Sequence, residues 1–406
     1  METIQPNSFT NLELNIQWQS QVATHNDCYY APRVNFWRDF LPVAIESELT
    51  GKTVGHTATT QCPPGELLPD YLEENVFEVF PNQFDKNYLR GKTIEPKFGR
   101  FYPIAMLIGI PGFYRENVNP CRCLNVDGGK LRFDLNHPLA AKNLTVTATV
   151  LDVWQHPSEE RGGRSVDWPE TALRGGPGLQ ACWENERIDF FSGEPFKRLD
   201  DSQDDKFYTH TRLVPHIDSK ASEIIARLYG ELLQPDTQVL DLMSSWQSHL
   251  PDTLNFAKLT GLGMNEEELQ ENSRLTDYLV HDLNQTPTLP FESNSFDAVI
   301  CSLSVEYLIH PIDIFDEVAR VLKPQGKFIL TFSNRWFPPK VIEIWHELHE
   351  FERMGLVLEY FLKSGKYQNF ATYSMRNYPR PENDKHINET SISDPVFAVW
   401  GEKMSS

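Results

Sequence analysis

The sequence predicts two fold classes within its 406 residues: a mostly β (α+β) front domain and an α/β carboxyl-terminal domain built on a doubly wound parallel sheet. Two observations predict this division. Residues 9–155 alternate apolar and polar side chains, which is the period of half-buried strands. Residues 238–334 instead contain short apolar runs separated by helical patterns, as expected for parallel strands that helices bury on both faces.

The front domain, residues 9–155, is expected to contain strands at 9–18, 54–60 and 144–153, where the alternation is most regular. Helical spacing is confined to the segment 41–49. The front domain is therefore expected to be mostly β.

A change of composition marks the expected domain boundary. Residues 156–179 are rich in Glu, Arg, Gly, Ser and Pro, which solvate well and set turns, so they are expected to form a linker. Residues 180–216 are too aromatic for a solvated linker, so we assign them as an aromatic amino-terminal arm to the carboxyl-terminal domain, 180–406. The sequence leaves open whether this arm contacts a ligand or only packs on the sheet edge.

The carboxyl-terminal elements follow in chain order. Asp218 is a good helix N-cap, and apolar residues follow it at helical spacing until Pro235 stops the run. A second helical pattern covers 341–361. Strands are expected at 239–242, 259–262, 278–280, 299–303 and 328–332, with two closing strands at 368–375 and 396–401.

Composition and charge exclude several classes of function. The formal net charge is -20 and the sequence pI about 5.0, so most of the surface repels nucleic-acid phosphates and anionic lipid. The amino terminus lacks a signal-peptide pattern, and no apolar run approaches the roughly 20 residues of a membrane span. We therefore expect neither a nucleic-acid nor a membrane partner, and we leave the oligomeric state open.

The six cysteines are scattered, which indicates a reduced, cytoplasmic protein. Cys121 and Cys123 lack the second pair of ligands that a structural zinc site uses, so no metal is predicted.

Candidate ligand contacts follow from the sheet type, because residues at the carboxyl ends of parallel strands face the crevice of an open α/β sheet. In this chain those positions are Asp241, Met264, Asn265, Asp282 and Ser302.

Four motifs in this domain belong to a known pattern. Val-Leu-Asp-Leu occupies 239–242, Asp282 ends the third strand, Phe-Asp-Ala-Val-Ile-Cys runs over 296–301, and Glu-Val-Ala-Arg-Val-Leu-Lys-Pro-Gln-Gly runs over 317–326. On these motifs the domain resembles the class I S-adenosylmethionine-dependent methyltransferases and, within that class, the methyltransferase type 11 group. The resemblance implies a Rossmann-like sheet with an antiparallel edge strand, and S-adenosylmethionine as cofactor.

The resemblance also implies how the cofactor is held. Where the family has a glycine-rich turn, this chain has Met-Ser-Ser at 243–245, whose serine hydroxyls are expected to serve the cofactor carboxylate. Gly263 stands where the family has an acid for the ribose, so Asn265 or the acids at 266–268 are candidates to replace it. The expected cofactor-binding residues are Asp241, Met243, Ser244, Ser245, Met264, Asn265, Asp282, Leu283 and Ser302.

The acceptor side is expected beyond the fourth and fifth strands. Glu306 and Tyr307 are the catalytic candidates, because a proton must leave an amine, hydroxyl or thiol acceptor; Glu306 is equally suited to capping the next helix. Ser304 is expected to contact the substrate, and Arg335 and Lys340 are placed to meet a substrate carboxylate or phosphate.

The front domain resembles a second family. Asn-His-Pro-Leu-Ala-Ala-Lys-Asn-Leu at 136–144 and Leu-Thr-Gly-Lys-Thr-Val-Gly at 49–55 are similar to segments of SlyD-like FKBP-type peptidyl-prolyl isomerases. This implies an FKBP-like fold with an inserted flap subdomain at about 84–127. Residues 63–71 replace the Ala-Tyr-Gly turn of that family, and His137 is expected to be structural.

The sequence thus predicts an S-adenosylmethionine-dependent methyltransferase that acts on a small-molecule or protein acceptor, with an FKBP-like domain that holds substrate or assists folding. One alternative is a peptidyl-prolyl isomerase or chaperone whose methyltransferase domain has lost its chemistry, since the turn at 243–246 lacks glycine and Gly263 replaces an acid. Another is a non-catalytic scaffold whose aromatic arm binds a partner.

Overall fold

A computed structural model of the chain describes residues 2–89, 91–126, 128–155, 163–183 and 186–405. The start of the expected linker, 156–162, therefore lies outside the described residues, as do residues 90 and 127 of the expected flap and residues 184 and 185 of the arm. The chain divides into two units. Unit 1 comprises Met1–Gln21, Tyr30–Gly193 and Leu348–Leu356, and unit 2 comprises Val22–Tyr29, Glu194–Glu347 and Val357–Ser406.

The elements of the first part of the chain are mostly strands. They are β1 (Ser8–Gln19), β2 (Ala23–Asn35), α1 (Val43–Leu49), β3 (Thr57–Cys62), β4 (Val76–Val79), β5 (Phe101–Pro103), β6 (Pro120–Asn125), β7 (Leu131–Asp134), β8 (Leu144–Gln155) and α2 (Trp168–Leu173). The strands expected from alternation at 9–18 and 144–153 are confirmed as β1 and β8, which pair antiparallel. Strand β3 begins later than expected, because Gly55 adopts a φ of 87° in the turn before it.

Unit 1 contains a separate four-stranded sheet between β3 and β8. Its order is β4-β7-β6-β5, and all of its pairs are antiparallel. This sheet spans Val76–Asp134, a wider range than the flap expected at 84–127. Cys121 and Cys123 are fully buried in its apolar core beside Phe133, and the Cys121 thiol donates to the Tyr102 carbonyl at 3.2 Å.

Two buried arginines explain why the first part of the arm belongs to unit 1. Arg122 donates to the Ala181 carbonyl at 2.8 Å, and Arg100 lies over the Phe190 ring at 5.5 Å. Arg100 also pairs with Glu352 at 3.3 Å, which accounts for the presence of 348–356 in this unit. Buried cations need carboxylates, carbonyls or aromatic faces, and these segments supply them.

The remaining elements alternate helices and strands. They are α3 (Asp204–Tyr208), α4 (Ser219–Leu232), β9 (Gln238–Leu242), β10 (Lys258–Gly263), α5 (Glu266–Glu271), β11 (Asp277–Val280), β12 (Phe296–Ser302), α6 (Pro311–Val321), β13 (Leu322–Phe332), α7 (Glu343–Glu347), α8 (Glu350–Ser364), β14 (Tyr367–Arg376) and β15 (Val396–Lys403). Asp218 is the N-cap of α4, as expected, and its carboxylate accepts from the amides of Lys220 and Ala221. No helix among the described residues is long and apolar enough to cross a bilayer.

The helix expected over 341–361 is interrupted. Helix α7 ends at Glu347 and α8 begins at Glu350, because the side chains at this junction cap a new helix. His349 Nδ1 accepts from the Phe351 amide at 3.3 Å, and a Glu352 carboxylate oxygen accepts from the His349 amide at 3.2 Å. These bonds replace the continuing helical ones. Apolar spacing carries through such a break, so the sequence did not reveal it.

The sheet of unit 2 has the strand order β11-β10-β9-β12-β13-β15-β14-β2, to which β2 contributes Ala23–Tyr29. The first five strands are parallel, and β15 runs antiparallel to both of its neighbours. The doubly wound parallel sheet with one antiparallel strand is therefore confirmed. The antiparallel strand is not at the edge, because β14 lies beside β15 and pairs in turn with β2. The chain builds outward from β9 in one direction through β10 and β11, and in the other through β12 and β13. This reversal places a topological switch point between β9 and β12, where such sheets bind ligands.

One expectation about the strands is wrong. Strand β11 is not buried on both faces, because Leu279 is 40% and Val280 53% exposed. It lies at the edge of the sheet, where β10 is its one paired strand among the described residues, so part of its surface faces solvent.

Candidate functional site

A pocket opens at the carboxyl ends of β9, β10, β11 and β12, beside the switch point, and all of its lining belongs to unit 2. The structure brings eleven of the fourteen expected site residues to this pocket. They are Asp241, Met243, Ser244, Ser245, Met264, Asn265, Asp282, Leu283, Ser302, Ser304 and Tyr307. The residues expected at the strand ends therefore line one cavity. The role of each residue stays a prediction.

The turn after β9 and the end of β10 form one packed feature. Met243 adopts a left-handed φ of 56°, which turns the backbone so that the Ser244 amide donates to the Leu262 carbonyl at 2.8 Å. The Ser244 carbonyl oxygen then lies where a Cβ on Gly263 would have to be, far inside van der Waals contact. A side chain at 263 is therefore excluded, which explains the missing acid there.

Asp241 is almost fully buried beneath this turn, with 2% of its surface exposed. Burial raises the pKa of its carboxyl to about 6, although hydrogen bonds from Ser244 and Ser248 oppose the shift. The Ser244 hydroxyl donates to the carboxylate at 2.7 Å. The Ser244 hydroxyl is therefore already engaged by the Asp241 carboxylate. The Ser244 backbone carbonyl separately occupies the space of a side chain at 263.

The second part of the arm covers the pocket and is held by two side chains of the β10–α5 region. Asn265 caps α5 by accepting from the Glu268 amide at 3.1 Å, and its side-chain amide donates to the Tyr208 carbonyl at 2.9 Å. Glu268 accepts from the Arg212 amide at 2.7 Å. The arm therefore adds Asp204, Tyr208, Arg212 and His216 to the lining.

Asp282 shapes the turn after β11. One carboxylate oxygen, Oδ1, accepts from the amides of Asn284 at 2.9 Å and Gln285 at 3.1 Å. Oδ2 has no hydrogen-bond partner among the residues that the structure describes. The Asn284 side chain donates to Asp204 at 2.8 Å and to the Tyr307 carbonyl at 2.9 Å, so it links this turn to the arm.

The end of β12 carries a second left-handed residue, Leu303, with a φ of 55°. On either side of it, the Ser302 hydroxyl lies 2.7 Å from the Tyr229 hydroxyl, and the Ser304 hydroxyl donates to the Ser302 carbonyl at 3.0 Å. Non-glycine residues at positive φ are uncommon and concentrate at ligand sites. Met243 and Leu303 place two such residues on adjacent strand ends.

Tyr307 presents a neutral hydroxyl to the pocket. Burial raises its pKa well above the ordinary value, and its oxygen accepts from the Phe337 amide at 2.9 Å. Its O–H is therefore suited to donating a hydrogen bond to a ligand, and burial makes it a poor base.

Three expected site residues, Glu306, Arg335 and Lys340, are not part of the described lining. Lys340 is fully buried and pairs with Asp204 at 3.2 Å. Arg335 pairs with Asp394 at 3.0 Å, and Glu306 is 1% exposed in the turn before α6. The two cations are neutralised within the protein, because the arm and the segment before β15 supply aspartates that the sequence order did not place near them.

Two histidines of the lining, His216 and His249, were not expected from the sequence. Burial lowers both pKa values, that of His249 to about 4, so both rings are neutral near pH 7. The His249 Nδ1 atom lies 2.9 Å from the Ser222 hydroxyl, and His216 packs edge-on against Phe337 with centroids 5.4 Å apart. His216 is the last residue of the arm at 180–216, whereas no sequence motif around His249 indicated that it lines a pocket.

Comparison with known proteins agrees with this position of the pocket. A family model described as a methyltransferase domain, of the methyltransferase 11 group, matches residues 246–330. The ubiquinone/menaquinone biosynthesis C-methyltransferase of Bartonella quintana is 28% identical over 131 residues, 31% of this chain and 48% of that protein. Its counterpart from Paraburkholderia xenovorans is 30% identical over 137 residues, 33% of this chain and 54% of that protein.

The chain thus spans about half the length of the curated relatives that it matches. A solved S-adenosylmethionine-dependent methyltransferase from Aquifex aeolicus is 17% identical, covers 45% of this chain and 92% of its own, and superposes with a TM-score of 0.31. The methyltransferase type 11 prediction is confirmed for residues 246–330, and S-adenosylmethionine is the cofactor that this domain implies. The SlyD-like assignment of the front domain stays a prediction.

Replacing Gly263 with Ala should destabilise the protein, because the new methyl group collides with the Ser244 carbonyl. We expect urea denaturation to show a loss of about 1–3 kcal/mol in the free energy of unfolding. Gly230→Ala in α4 is the matched control, since its nearest neighbour would be Pro251 at an ordinary 3.5 Å. That variant should be neutral or more stable by up to about 1 kcal/mol. Equal effects at both positions would contradict the packing described.

Asp241 should make stability depend on pH. Because its folded pKa of about 6 exceeds the ordinary 3.8, the folded state holds a proton that the unfolded state has lost between these values. The stability that Asp241 contributes is therefore fully present below the unfolded-state pKa of 3.8. It is lost as the pH rises through the folded-state pKa of about 6, by about 3 kcal/mol in all.

Asp241→Asn removes this titration. We expect urea denaturation at about pH 4.5 and about pH 7 to show that the parent chain loses stability relative to Asp241→Asn as pH rises. A pH-independent difference between the two proteins would show that Asp241 titrates normally.

Proposed function

We propose that this chain is an S-adenosylmethionine-dependent methyltransferase that transfers the methyl group to a small-molecule or protein acceptor in the unit 2 pocket. The single observation that supports it is the position of that pocket. It lies at the switch point of a doubly wound sheet, within and beside the matched residues 246–330, and eleven of the expected residues line it. Open α/β sheets bind their ligands at this place.

The polar atoms available in the pocket fit an adenosyl ligand. Asp282 keeps Oδ2 as an acceptor for the adenine amino group, and the Leu283 amide is suited to a ring nitrogen. The Ser245 hydroxyl remains for the amino-acid part of the ligand, because the Ser244 hydroxyl is engaged by Asp241. Met264 is an adaptable apolar residue for the face of the adenine ring.

The reaction asks for positioning more than for strong acid or base groups. When bound, the cofactor supplies a methyl group on a positively charged sulfur, and that charge disappears during in-line displacement. The arm excludes water from the pocket, and the Tyr307 hydroxyl is available to orient an acceptor atom. The neutral imidazoles of His216 and His249 are able to hydrogen-bond an acceptor group, but burial lowers the pKa of both rings, to about 4 for His249, so both are weak bases.

The relatives suggest a first class of acceptor. Both are C-methyltransferases of ubiquinone and menaquinone biosynthesis. Phe337 and Tyr307 both line the pocket, and their rings are stacked with centroids 6.0 Å apart. A hydroquinone ring is therefore the first small-molecule acceptor to test, beside peptide acceptors.

We also propose that the front domain, which resembles the SlyD-like family, holds the substrate. The insertion of a four-stranded sheet between β3 and β8 supports this assignment, and so do the exposed apolar side chains that the inserted region carries. Tyr114 and Val118 are each 68% exposed, and Ile108 is 45% exposed. Exposed apolar groups that lie together form a surface suited to binding other chains.

Calorimetric titration of the full chain with S-adenosylmethionine and S-adenosylhomocysteine tests the proposal directly. We expect micromolar binding, near about -8 kcal/mol. Asp282→Asn keeps the acceptor for the Asn284 and Gln285 amides but replaces Oδ2 with a donor. This change should weaken binding by about 1–3 kcal/mol, because the new side-chain amide NH2 group would face the adenine amino group and both are donors.

Asp277→Asn is the matched control, since Asp277 lies at the start of the same strand in an exposed pair with Lys258. Its affinity should equal that of the parent chain. Failure of the parent to bind either ligand would overturn the proposed methyltransferase activity.

Aggregation of an unrelated refolding protein tests the front domain. We expect the full chain to suppress aggregation and to leave a proline-limited refolding phase unchanged, because residues 63–71 replace the Ala-Tyr-Gly turn. Replacing both Tyr114 and Val118 with Ser should remove the suppression while the affinity for S-adenosylhomocysteine is kept. Acceleration of the proline-limited phase would favour the peptidyl-prolyl isomerase alternative instead.

A further inference from the structure

The hydroxyl groups of an adenosyl ribose need a hydrogen-bond acceptor, and the residue after the second strand, which usually supplies one, has no side chain in this protein. In doubly wound sheets, an acid after the second strand hydrogen-bonds a ribose hydroxyl. In this chain that position is Gly263, and the Ser244 carbonyl fills the space of any side chain there. A bound ribose would therefore leave its hydroxyls without a partner unless another residue accepts them, at a cost that buried polar groups rarely incur.

Glu268 is a buried carboxylate with an unused acceptor in the same pocket. It lies in α5, just after β10, and lines the pocket with only 9% of its surface exposed. Oε1 accepts from the Arg212 amide at 2.7 Å. Oε2 has no hydrogen-bond partner within the described part of the chain.

The neighbouring polar residues are less suitable. Both functional groups of Asn265 are occupied, one by the Glu268 amide and the other by the Tyr208 carbonyl. Glu266 and Glu267 are exposed, and neither belongs to the described lining. Glu267 moreover accepts from the Thr211 hydroxyl outside the pocket.

We infer that Glu268 binds the ribose hydroxyls of the cofactor through Oε2, in place of an acid at position 263. The inference rests on the proposed function and adds to it a specific residue and a specific part of the ligand. The Arg212 amide holds Oε1 and so orients the carboxylate, which means that the arm is a positioning element of this subsite. Ribose recognition and docking of the arm then depend on the same carboxylate.

Calorimetric titration with two probes separates ribose recognition from other effects. The probes are S-adenosylhomocysteine and its 2′,3′-dideoxy analogue, tested on the full chain and on Glu268→Gln. We expect Glu268→Gln to bind S-adenosylhomocysteine about tenfold more weakly than the parent, the usual effect of losing a hydrogen bond to a charged group. Its affinity for the dideoxy analogue should match that of the parent.

Glu267→Gln is the matched control, because it removes an equal charge from the adjacent position on the exposed side of α5. It should bind both probes as the parent does. If Glu268→Gln weakens both probes equally, the carboxylate acts through the arm and the ribose assignment is wrong. If it weakens neither, Glu268 does not contact the ligand.

Glu268→Asp provides a second variant should the amide variant unfold. It keeps the carboxylate but shortens it by one methylene, so its preference for the hydroxylated probe should fall while the dideoxy affinity is kept. An unchanged preference would also overturn the inference. Binding of S-adenosylhomocysteine by the parent distinguishes these outcomes from failure of the proposed function, which would abolish binding in the parent itself.

Discussion

The close packing of the Ser244 carbonyl against Gly263 is the constraint on which the pocket depends. Without glycines after β9, the chain turns by placing Met243 in a left-handed conformation, and the Ser244 amide then bonds to the neighbouring strand at Leu262. This turn occupies the space beside the end of β10. The turn without glycine and the absence of an acid at 263 are therefore linked. The turn after β9 occupies the space that a side chain at 263 would need.

The arm connects this packing to the rest of the site. Asn265 and Glu268 hold its backbone at Tyr208 and Arg212, while Asp204 receives hydrogen bonds from Arg198 and Asn284. Lys340 completes this polar group from the segment after β13. These interactions are buried and charged, so they specify one position of the arm more than they add stability. The result is a pocket lined by two histidines whose pKa values burial lowers and by a tyrosine whose pKa burial raises.

Strand ends were the most productive sequence signal for the site. Because parallel strands in an open sheet all end on one side, Asp241, Asp282 and Ser302 were expected together and do lie together. The same reasoning failed for Lys340 and Arg335, whose partners, Asp204 and Asp394, come from distant segments of the chain. His249 shows the opposite case, since a single histidine without a motif gives no reason to place it in a pocket.

The sequence predicted part of the secondary structure: its apolar periods indicated β1, β3, β8 and the seven strands of residues 238–403, with α1 and α4. It did not indicate β2, the strands β4 to β7 or the break between α7 and α8. Periodicity reports which face of an element is buried, and this is a local property. Which polar groups are engaged follows from the tertiary structure, because Ser244 bonds to Leu262, Asn265 to Tyr208 and Glu268 to Arg212, and these partners are far apart in the sequence. The engaged groups hold the arm and the turn, and within the described part of the chain one carboxylate oxygen each of Asp282 and Glu268 is left without a hydrogen-bond partner.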